Sequence, residues 1–201
     1  VLLSYHTVER AGTTVPGASF SLVTIDSDGE NAVTWYKDRQ TKTLGFGSAV
    51  TAQFSADGKR FFYTHPASEE NNEVELYTAR LDGTDEILID QDIIAAEFSP
   101  KGDRLLVTRR IRDDINKKTI WEVYYVDAKG GDAEIVWSTE EKGIVSVLAK
   151  YAHDDQVLLA VGNLISGEVE LSLASDDFKE ITSIVKFPEV STTFLTQSPD
   201  G

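Results

Sequence analysis

The best candidate for a catalytic nucleophile in this sequence is Ser48, in the stretch Gly-Phe-Gly-Ser-Ala at residues 45–49. A serine nucleophile of the hydrolase type needs a Gly-x-Ser-x-Gly turn together with a histidine base and an acid. Here a glycine directly precedes the serine and an alanine follows it, so the order of the motif is wrong. We therefore predict no catalytic residue in this chain and expect that it is not an enzyme.

Two groups of side chains have the chemistry to bind a metal ion. The stretch Asp-Ser-Asp-Gly-Glu-Asn at residues 26–31 resembles the start of a calcium loop, but the later oxygen ligands and the terminal glutamate are missing. His6 and His65 each end a predicted strand, whereas tetrahedral zinc needs three or four ligands. The sequence therefore predicts no metal site and no cofactor.

A basic cluster lies between residues 109 and 118 of a chain that carries a formal net charge of -15. Arginine pairs with carboxylates through two parallel hydrogen bonds, so such a cluster favours an acidic ligand. The alternative is that these arginines pair within the chain, with Asp113, Asp114 or neighbouring acidic loops. We predict that five side chains bind an acidic segment of a protein or peptide partner: Arg10, His65, Arg109, Arg110 and Arg112.

The overall acidity, with 34 acidic and 19 basic residues, disfavours binding to nucleic acids or to anionic lipid surfaces. No apolar run approaches the length of about 18 residues that a membrane-spanning helix needs, so we expect no membrane insertion. Cysteine is absent, which excludes disulfides and thiolate metal sites. We expect an extracytoplasmic location, with which the lack of cysteine is compatible.

A repeated motif determines which elements carry these residues. The stretch Phe-Ser-Ala-Asp-Gly-Lys-Arg begins at Phe54 and returns 44 positions later as Phe-Ser-Pro-Lys-Gly-Asp-Arg from Phe98. A weaker copy begins at Tyr151, and residues 197–201 contain the same turn again. Proline fixes φ and glycine accepts positive φ, so each copy predicts a tight turn between two strands.

Each repeat contains four short strands, as in the blades of a β-propeller. We predict an all-β protein, a single β-propeller or propeller segment over residues 1–201, with about four blades of four antiparallel strands. The sequence leaves open whether the strands near Val1–His6 and Thr192–Gln197 close a ring. The predicted blades cover residues 1–40 (completed by 192–201), 49–91, 93–137 and 144–189.

The repeat also predicts which residues form the core and which form loops. Large apolar residues at equivalent positions are expected to be buried between blades: Phe54, Phe61, Ile89, Phe98, Leu105, Trp137 and Leu158. Long loops are expected between the second and third strands, at 7–17, 66–72, 109–118 and 163–167. Function concentrates on elaborated loops that a rigid frame carries, so this face is the predicted binding face.

The Phe-Ser-(Pro)-Asp-Gly-Lys-Arg-Leu pattern resembles the repeat of TolB-type β-propellers. It is also similar to the propeller domains of prolyl-oligopeptidase-family peptidases. The resemblance covers most of the chain, most strongly residues 49–201, and it concerns the fold more than the function. For the function, we expect a non-catalytic scaffold that binds a protein or peptide. The alternative is the propeller part of a larger serine peptidase, whose catalytic domain would lie outside these residues.

Overall fold

A computed structural model describes residues 2–8, 18–25, 30, 32–37, 51–66, 74–82, 84–113, 115–152 and 155–188. These residues form 15 β-strands, arranged in antiparallel sheets whose strands follow one another in chain order. Across the described part of the chain, no helix has the length and apolar character that a membrane crossing requires. The chain divides into two compact units, Val1–Gln91 and Asp92–Gly201.

The first unit contains a three-stranded and a four-stranded sheet. The three-stranded sheet consists of β1 (Leu2–Val8), β2 (Ala18–Thr24) and β3 (Val33–Lys37). The four-stranded sheet consists of β4 (Ala52–Phe54), β5 (Arg60–Pro66), β6 (Val74–Arg80) and β7 (Ile87–Asp90). A row of aromatic rings, Phe54, Phe61, Tyr63 and Tyr77, lies along one face of this second sheet, and the last three are stacked.

The second unit contains two four-stranded sheets. The first consists of β8 (Ile93–Phe98), β9 (Arg104–Asp113), β10 (Lys118–Asp127) and β11 (Glu134–Thr139). The second consists of β12 (Ile144–Tyr151), β13 (Val157–Asn163), β14 (Glu168–Ala174) and β15 (Ile181–Pro188). One apolar cluster joins the two sheets, and its larger members are Leu106, Trp121, Val123, Tyr125, Val147, Tyr151, Leu159 and Phe178.

The described residues thus contain three complete four-stranded blades, where the sequence predicted about four. The remaining sheet has three strands, and residues 192–201, which were predicted to complete it, lie outside the described residues. The predicted closure between Val1–His6 and Thr192–Gln197 falls outside them for the same reason.

The first two copies of the repeated turn share one hydrogen-bond pattern. In the first copy, the Ser55 N–H donates to the Arg60 carbonyl and the Gly58 N–H donates to the Ser55 carbonyl. The second copy repeats both bonds around Gly102, and the two glycines have positive φ values of 66° and 75°. In the degenerate third copy Asp155 takes the positive φ, at 58°. Aspartate tolerates this conformation better than most residues, so the turn survives the loss of glycine.

The predicted core is correct for three of its seven residues: Phe61, Phe98 and Leu105 are buried. Phe54, Ile89 and Trp137 are only partly buried. The prediction for Leu158 is wrong, because Val157 and Leu159 point into the core and Leu158 occupies the opposite, half-buried face of β13. Successive strand residues alternate between faces, so an error of one position exchanges the two faces.

Candidate binding surfaces of the second unit

The predicted loop over residues 109–118 is wrong, because most of it forms a β-hairpin. Strand β9 continues to Asp113, β10 begins at Lys118, and each strand is ten residues long. On β10, threonine, isoleucine and tryptophan at residues 119–121 favour the extended backbone that prolongs the pairing. Asp113 closes the turn by accepting the N–H groups of Ile115 and Asn116 at 3.1 and 3.0 Å.

This hairpin extends beyond its own sheet. The pairing of β8 with β9 starts at Ile93 and Arg109, and that of β10 with β11 starts at Trp121 and Thr139. One further backbone bond, from the Arg110 N–H to the Asp92 carbonyl, extends the first of these contacts. Past that point the two central strands pair only with each other among the described residues, so the hairpin tip projects from the sheet.

Strand alternation separates Arg109 from the other two arginines. The Arg109 guanidinium binds the Glu122 carboxylate across the hairpin, at 2.7 Å, and lies 4.9 Å from the centre of the Tyr124 ring. Both partners of this ion pair are mostly buried. The alternative of pairing within the chain therefore applies to Arg109, with Glu122 as its partner instead of Asp113 or Asp114.

Arg110 and Arg112 lie together on the opposite face of β9. Arg110 is half-buried over the indole ring of Trp121, at 5.6 Å, and Arg112 is exposed. Burial, together with the nearby charge of Arg112, lowers the pKa of the Arg110 guanidinium, although Asp92 opposes this effect. Within the described residues neither arginine has a salt-bridge partner, so both retain hydrogen-bonding capacity for a carboxylate.

The other two predicted site residues belong to the first unit. Arg10 lies outside the described residues. The backbone of His65 lies in β5 and pairs with Glu75, but its side chain is not among those described. Of the five predicted residues, the structure thus places Arg110 and Arg112 together and directs Arg109 to the other face.

The two sheets of the second unit present equivalent ends on the same side. The Tyr151 N–H at the end of β12 donates to the Glu97 carboxylate at the end of β8. Arg104 at the start of β9 forms a salt bridge with Asp176 in the turn after β14. These contacts align the tight turns at one end, which we call the turn end. The β9–β10 and β13–β14 turns consequently lie at the other end, the loop end.

The loop end carries the most exposed large apolar side chains of the described residues. Ile115 is 92% exposed at the β9–β10 turn, and Leu164 and Ile165 are 63% and 75% exposed at the β13–β14 turn. Leu164 and Ile165 were not among the predicted site residues, although a Leu-Ile pair within a predicted loop was an available signal. We define the loop-end surface by six residues: Arg110, Arg112, Ile115, Lys117, Leu164 and Ile165.

At the turn end, a polar network joins the two sheets. The Arg104 guanidinium binds the Asp176 carboxylate at 2.5 Å and stacks on the Tyr125 ring, with 3.8 Å between Cζ and the ring centre. The Tyr125 hydroxyl donates to the carbonyl and the carboxylate of Asp176, at 2.8 and 2.9 Å. Burial, the Tyr151 hydroxyl group and the Asp176 carboxylate raise the pKa of Tyr125, which keeps its hydroxyl protonated as a donor.

Asp176 was not predicted either, and it belongs to a further copy of the repeated turn. The Ser175 N–H donates to the Glu180 carbonyl and the Phe178 N–H donates to the Ser175 carbonyl, as at residues 55–60. Phe178 takes the positive φ, at 54°. The signal was the Ser-x-Asp-x-Lys pattern, which residues 55–59 and 175–179 share.

Glu97 provides a test of the contact between the sheets. Burial raises the pKa of its carboxyl group, and the Tyr151 N–H at 2.7 Å and the charge of Lys150 only partly oppose this. A folded-state pKa above the unfolded value means that stability is greatest below the unfolded pKa, about 4.3, and falls as the pH rises through the folded pKa. Glutamine keeps an oxygen that accepts the Tyr151 N–H but carries no charge.

We therefore expect Glu97→Gln to be at least as stable as the wild type at pH 7. We expect this relative advantage to disappear below about pH 4.3. Urea unfolding at several pH values measures the difference, and Glu134→Gln, at an exposed position of β11, is the control. A Glu97→Gln variant that is less stable at pH 7 than at pH 4, relative to the wild type, would contradict the assigned direction.

Among the described residues, no group of three histidine, aspartate or glutamate side chains is arranged to hold a metal ion. Residues 26–29 and 31 of the calcium-like stretch lie outside the described residues, as do Ser48 and His153.

No family model matches the sequence, and no curated protein matches it. Solved structures do match. The β-propeller domain of the Trilobed protease from Pyrococcus furiosus, which has an open velcro topology, gives a TM-score of 0.59 at 15% identity, over 94% of this chain and 55% of that chain. An acylaminoacyl peptidase from Pyrococcus horikoshii gives 0.59 at 13% identity, over 92% of this chain and 30% of that chain. A putative TolB from Agrobacterium tumefaciens gives 0.55 at 14% identity, over 92% and 61%.

The fold is therefore that of part of a β-propeller. The chain is similar both to peptidase propellers and to a TolB-like protein, as its repeat predicted. It spans 61% or less of the length of each of these three structures. At these identities the similarity concerns the fold alone, and the chemistry must be argued from the surfaces.

Proposed function

We propose that this chain is a non-catalytic propeller scaffold that binds a protein or peptide partner at its loop-end surface. The partner segment is acidic and carries at least one large apolar side chain. In this proposal the chain acts in an extracytoplasmic compartment and binds neither nucleic acid nor lipid, as its net charge of -15 favours.

The observation that carries the proposal is the combination of exposed apolar and basic side chains at one end of the second unit. The three most exposed large apolar residues of the described part, Ile115, Leu164 and Ile165, lie there. Beside them, Arg110 and Arg112 have no salt bridge within the described residues. Exposed apolar side chains gain free energy when a partner covers them, and the arginines select for carboxylates.

The surrounding negative charge sharpens this selection. Glu140 neutralises Lys118 on the flank of the hairpin, at 2.7 Å, so the unpaired positive charge is concentrated on Arg110, Arg112 and Lys117. A positive patch on an acidic protein attracts acidic segments locally, while the rest of the surface repels them. We therefore expect binding to be specific for this end and to weaken with added salt.

A labelled peptide of alternating glutamate and leucine residues is the direct probe, and a lysine–leucine peptide is its control. We expect Arg112→Glu to weaken binding of the acidic peptide by about tenfold, since an attractive contact becomes repulsive. Ile115→Ser is expected to weaken it by a similar factor. Fluorescence anisotropy at two salt concentrations measures both effects.

The matched control is Lys129→Glu, which makes the same change at an exposed position of the β10–β11 turn, at the turn end. It should leave peptide affinity unchanged, and all three variants should melt within about two degrees of the wild type because the altered side chains are exposed. Equal binding of the acidic and basic peptides would contradict the proposal, as would unchanged affinity in Arg112→Glu.

The second candidate function is that of a propeller domain in a larger serine peptidase. It is supported by the structural similarity to the Trilobed protease domain and to the acylaminoacyl peptidase. Reading the coding sequence on both sides of this chain tests it. A neighbouring domain with a Gly-x-Ser-x-Gly elbow, and hydrolysis of peptide substrates by the joined protein but not by this chain, would favour this candidate.

A further inference from the structure

A cleft of about 320 Å³ opens at the turn end of the second unit. Its walls are the β8–β9 turn, the residues on either side of the β12–β13 turn, and Asp176 after β14. The volume is at the lower end of the range for small-molecule pockets, about 300–1,000 Å³. The cleft lies at the end opposite to the loop-end surface, so it is independent of the proposed function.

The cleft presents charges of both signs. Among the described residues its basic groups are Lys101 and Arg104, and its acidic groups are Asp103, Asp155 and Asp176. The Arg104 guanidinium and the Asp176 carboxylate neutralise each other, since they are 2.5 Å apart. Lys101 and Asp155 are exposed, and neither has a salt-bridge partner within the described residues. The cleft therefore offers a cation and two carboxylates to a bound molecule.

One wall of the cleft is a buried tyrosine that also belongs to the turn-end network. Tyr151 lines the cleft and is 8% exposed, and its hydroxyl is buried beside the Tyr125 hydroxyl and the Arg104 guanidinium. Burial raises the pKa of Tyr151 to about 12, although the charge of Arg104 and the hydroxyl of Tyr125 oppose the rise. The group is therefore neutral and able to donate or accept a hydrogen bond.

We propose that this cleft binds a small zwitterion, an amino acid or short peptide with a free ammonium and a free carboxylate group. Asp103 and Asp155 would repel a simple anion, and Lys101 would repel a simple cation. A zwitterion satisfies both signs, with its ammonium group at the two aspartates and its carboxylate at Lys101. Charge-assisted hydrogen bonds of this kind are about twice as strong as neutral ones, which favours a zwitterion over a neutral polyol.

Glycylglycine is the probe, followed by NMR titration of the backbone amides of Gly102 and Tyr151 in the full chain. N-acetylglycylglycine lacks the ammonium group, glycylglycinamide lacks the carboxylate, and xylitol is a neutral polyol. We expect saturable chemical-shift changes with glycylglycine. Each of the other three ligands should bind at least about tenfold more weakly, because each loses at least one charged contact. Equal affinity for the blocked peptides, tighter binding of xylitol, or no saturable shift would overturn the proposal.

Three variants assign the contacts. Lys101→Gln should lower the affinity for glycylglycine about tenfold but leave the affinity for glycylglycinamide unchanged, because only the contact with the carboxylate group is lost. Asp155→Asn should lower the affinity for both of these ligands, which carry an ammonium group. It should leave the affinity for N-acetylglycylglycine unchanged. Asparagine also tolerates the positive φ of 58° at this position. Tyr151→Phe should leave the affinity for glycylglycine unchanged, because the hydroxyl oxygen is closed off from the cleft and the ring is kept.

Lys129→Gln, an exposed lysine outside the cleft, is the matched control and should change none of these affinities. If Lys101→Gln and Asp155→Asn both bind glycylglycine as tightly as the wild type, the assignment of the cleft is wrong.

Discussion

Replacing Phe98 with alanine is expected to lower the free energy of unfolding by about 3–5 kcal/mol, because the ring leaves a cavity in a packed interior. Phe98 is 4% exposed and pairs with the fully buried Leu105 across the β8–β9 hairpin, next to the repeated turn. Marginal stabilities are about 5–15 kcal/mol, so this single change removes a large part of the total.

Urea unfolding followed by tryptophan fluorescence measures the loss, since Trp121 and Trp137 lie in the strands of the same sheet. The matched control is Phe187→Ala in β15, where the ring is 49% exposed. We expect its cost to be about 1 kcal/mol or less, because a half-exposed ring loses less transfer free energy and leaves no closed cavity. Similar losses for the two variants would mean that Phe98 is not part of the core.

The second large effect is expected from Asp176→Ala, which removes the acceptor at the centre of the turn-end network. Arg104 loses its carboxylate partner and Tyr125 loses one of its two acceptors. Hydrogen bonds to charged groups contribute about 1.5–3 kcal/mol each, but both members of the ion pair are about one-third exposed or more, which weakens it. We expect a net loss of about 2 kcal/mol in the free energy of unfolding.

Two further variants test whether the loss comes from the Arg104–Asp176 ion pair. In an Arg104→Met background Asp176→Ala should cost clearly less, because the charge that it leaves unpaired is already gone. Glu140→Ala, which breaks the exposed Lys118–Glu140 pair, should have no measurable effect. An equal cost of Asp176→Ala with and without Arg104 would show that the ion pair does not stabilise the contact between the sheets.

The sequence predicted the arginine cluster but not how its side chains are distributed. The charges of residues 109–112 and their position between the second and third strands of a repeat were visible in the sequence. Their division between two faces depended on whether the segment was a loop or a strand. The extended pairing of β9 with β10 decided that Arg109 binds Glu122 while Arg110 and Arg112 remain together.

The sequence by itself determined the repeated unit, since its signals are local. Glycine at 58 and 102, where φ is positive, and the alternating apolar residues around them predicted four short strands per repeat and an all-β propeller. The similarity to TolB-like and peptidase propellers followed from the same residues.

Only the tertiary structure determined the two candidate surfaces, because their residues are distant in sequence. Arg104 and Asp176 are 72 positions apart, and Tyr125 and Asp176 are 51 apart. No local preference of the backbone encodes such a pair. Packing of the two sheets through their shared apolar cluster brings these groups together at the turn end, and the same alignment places Ile115 and Ile165 at the loop end.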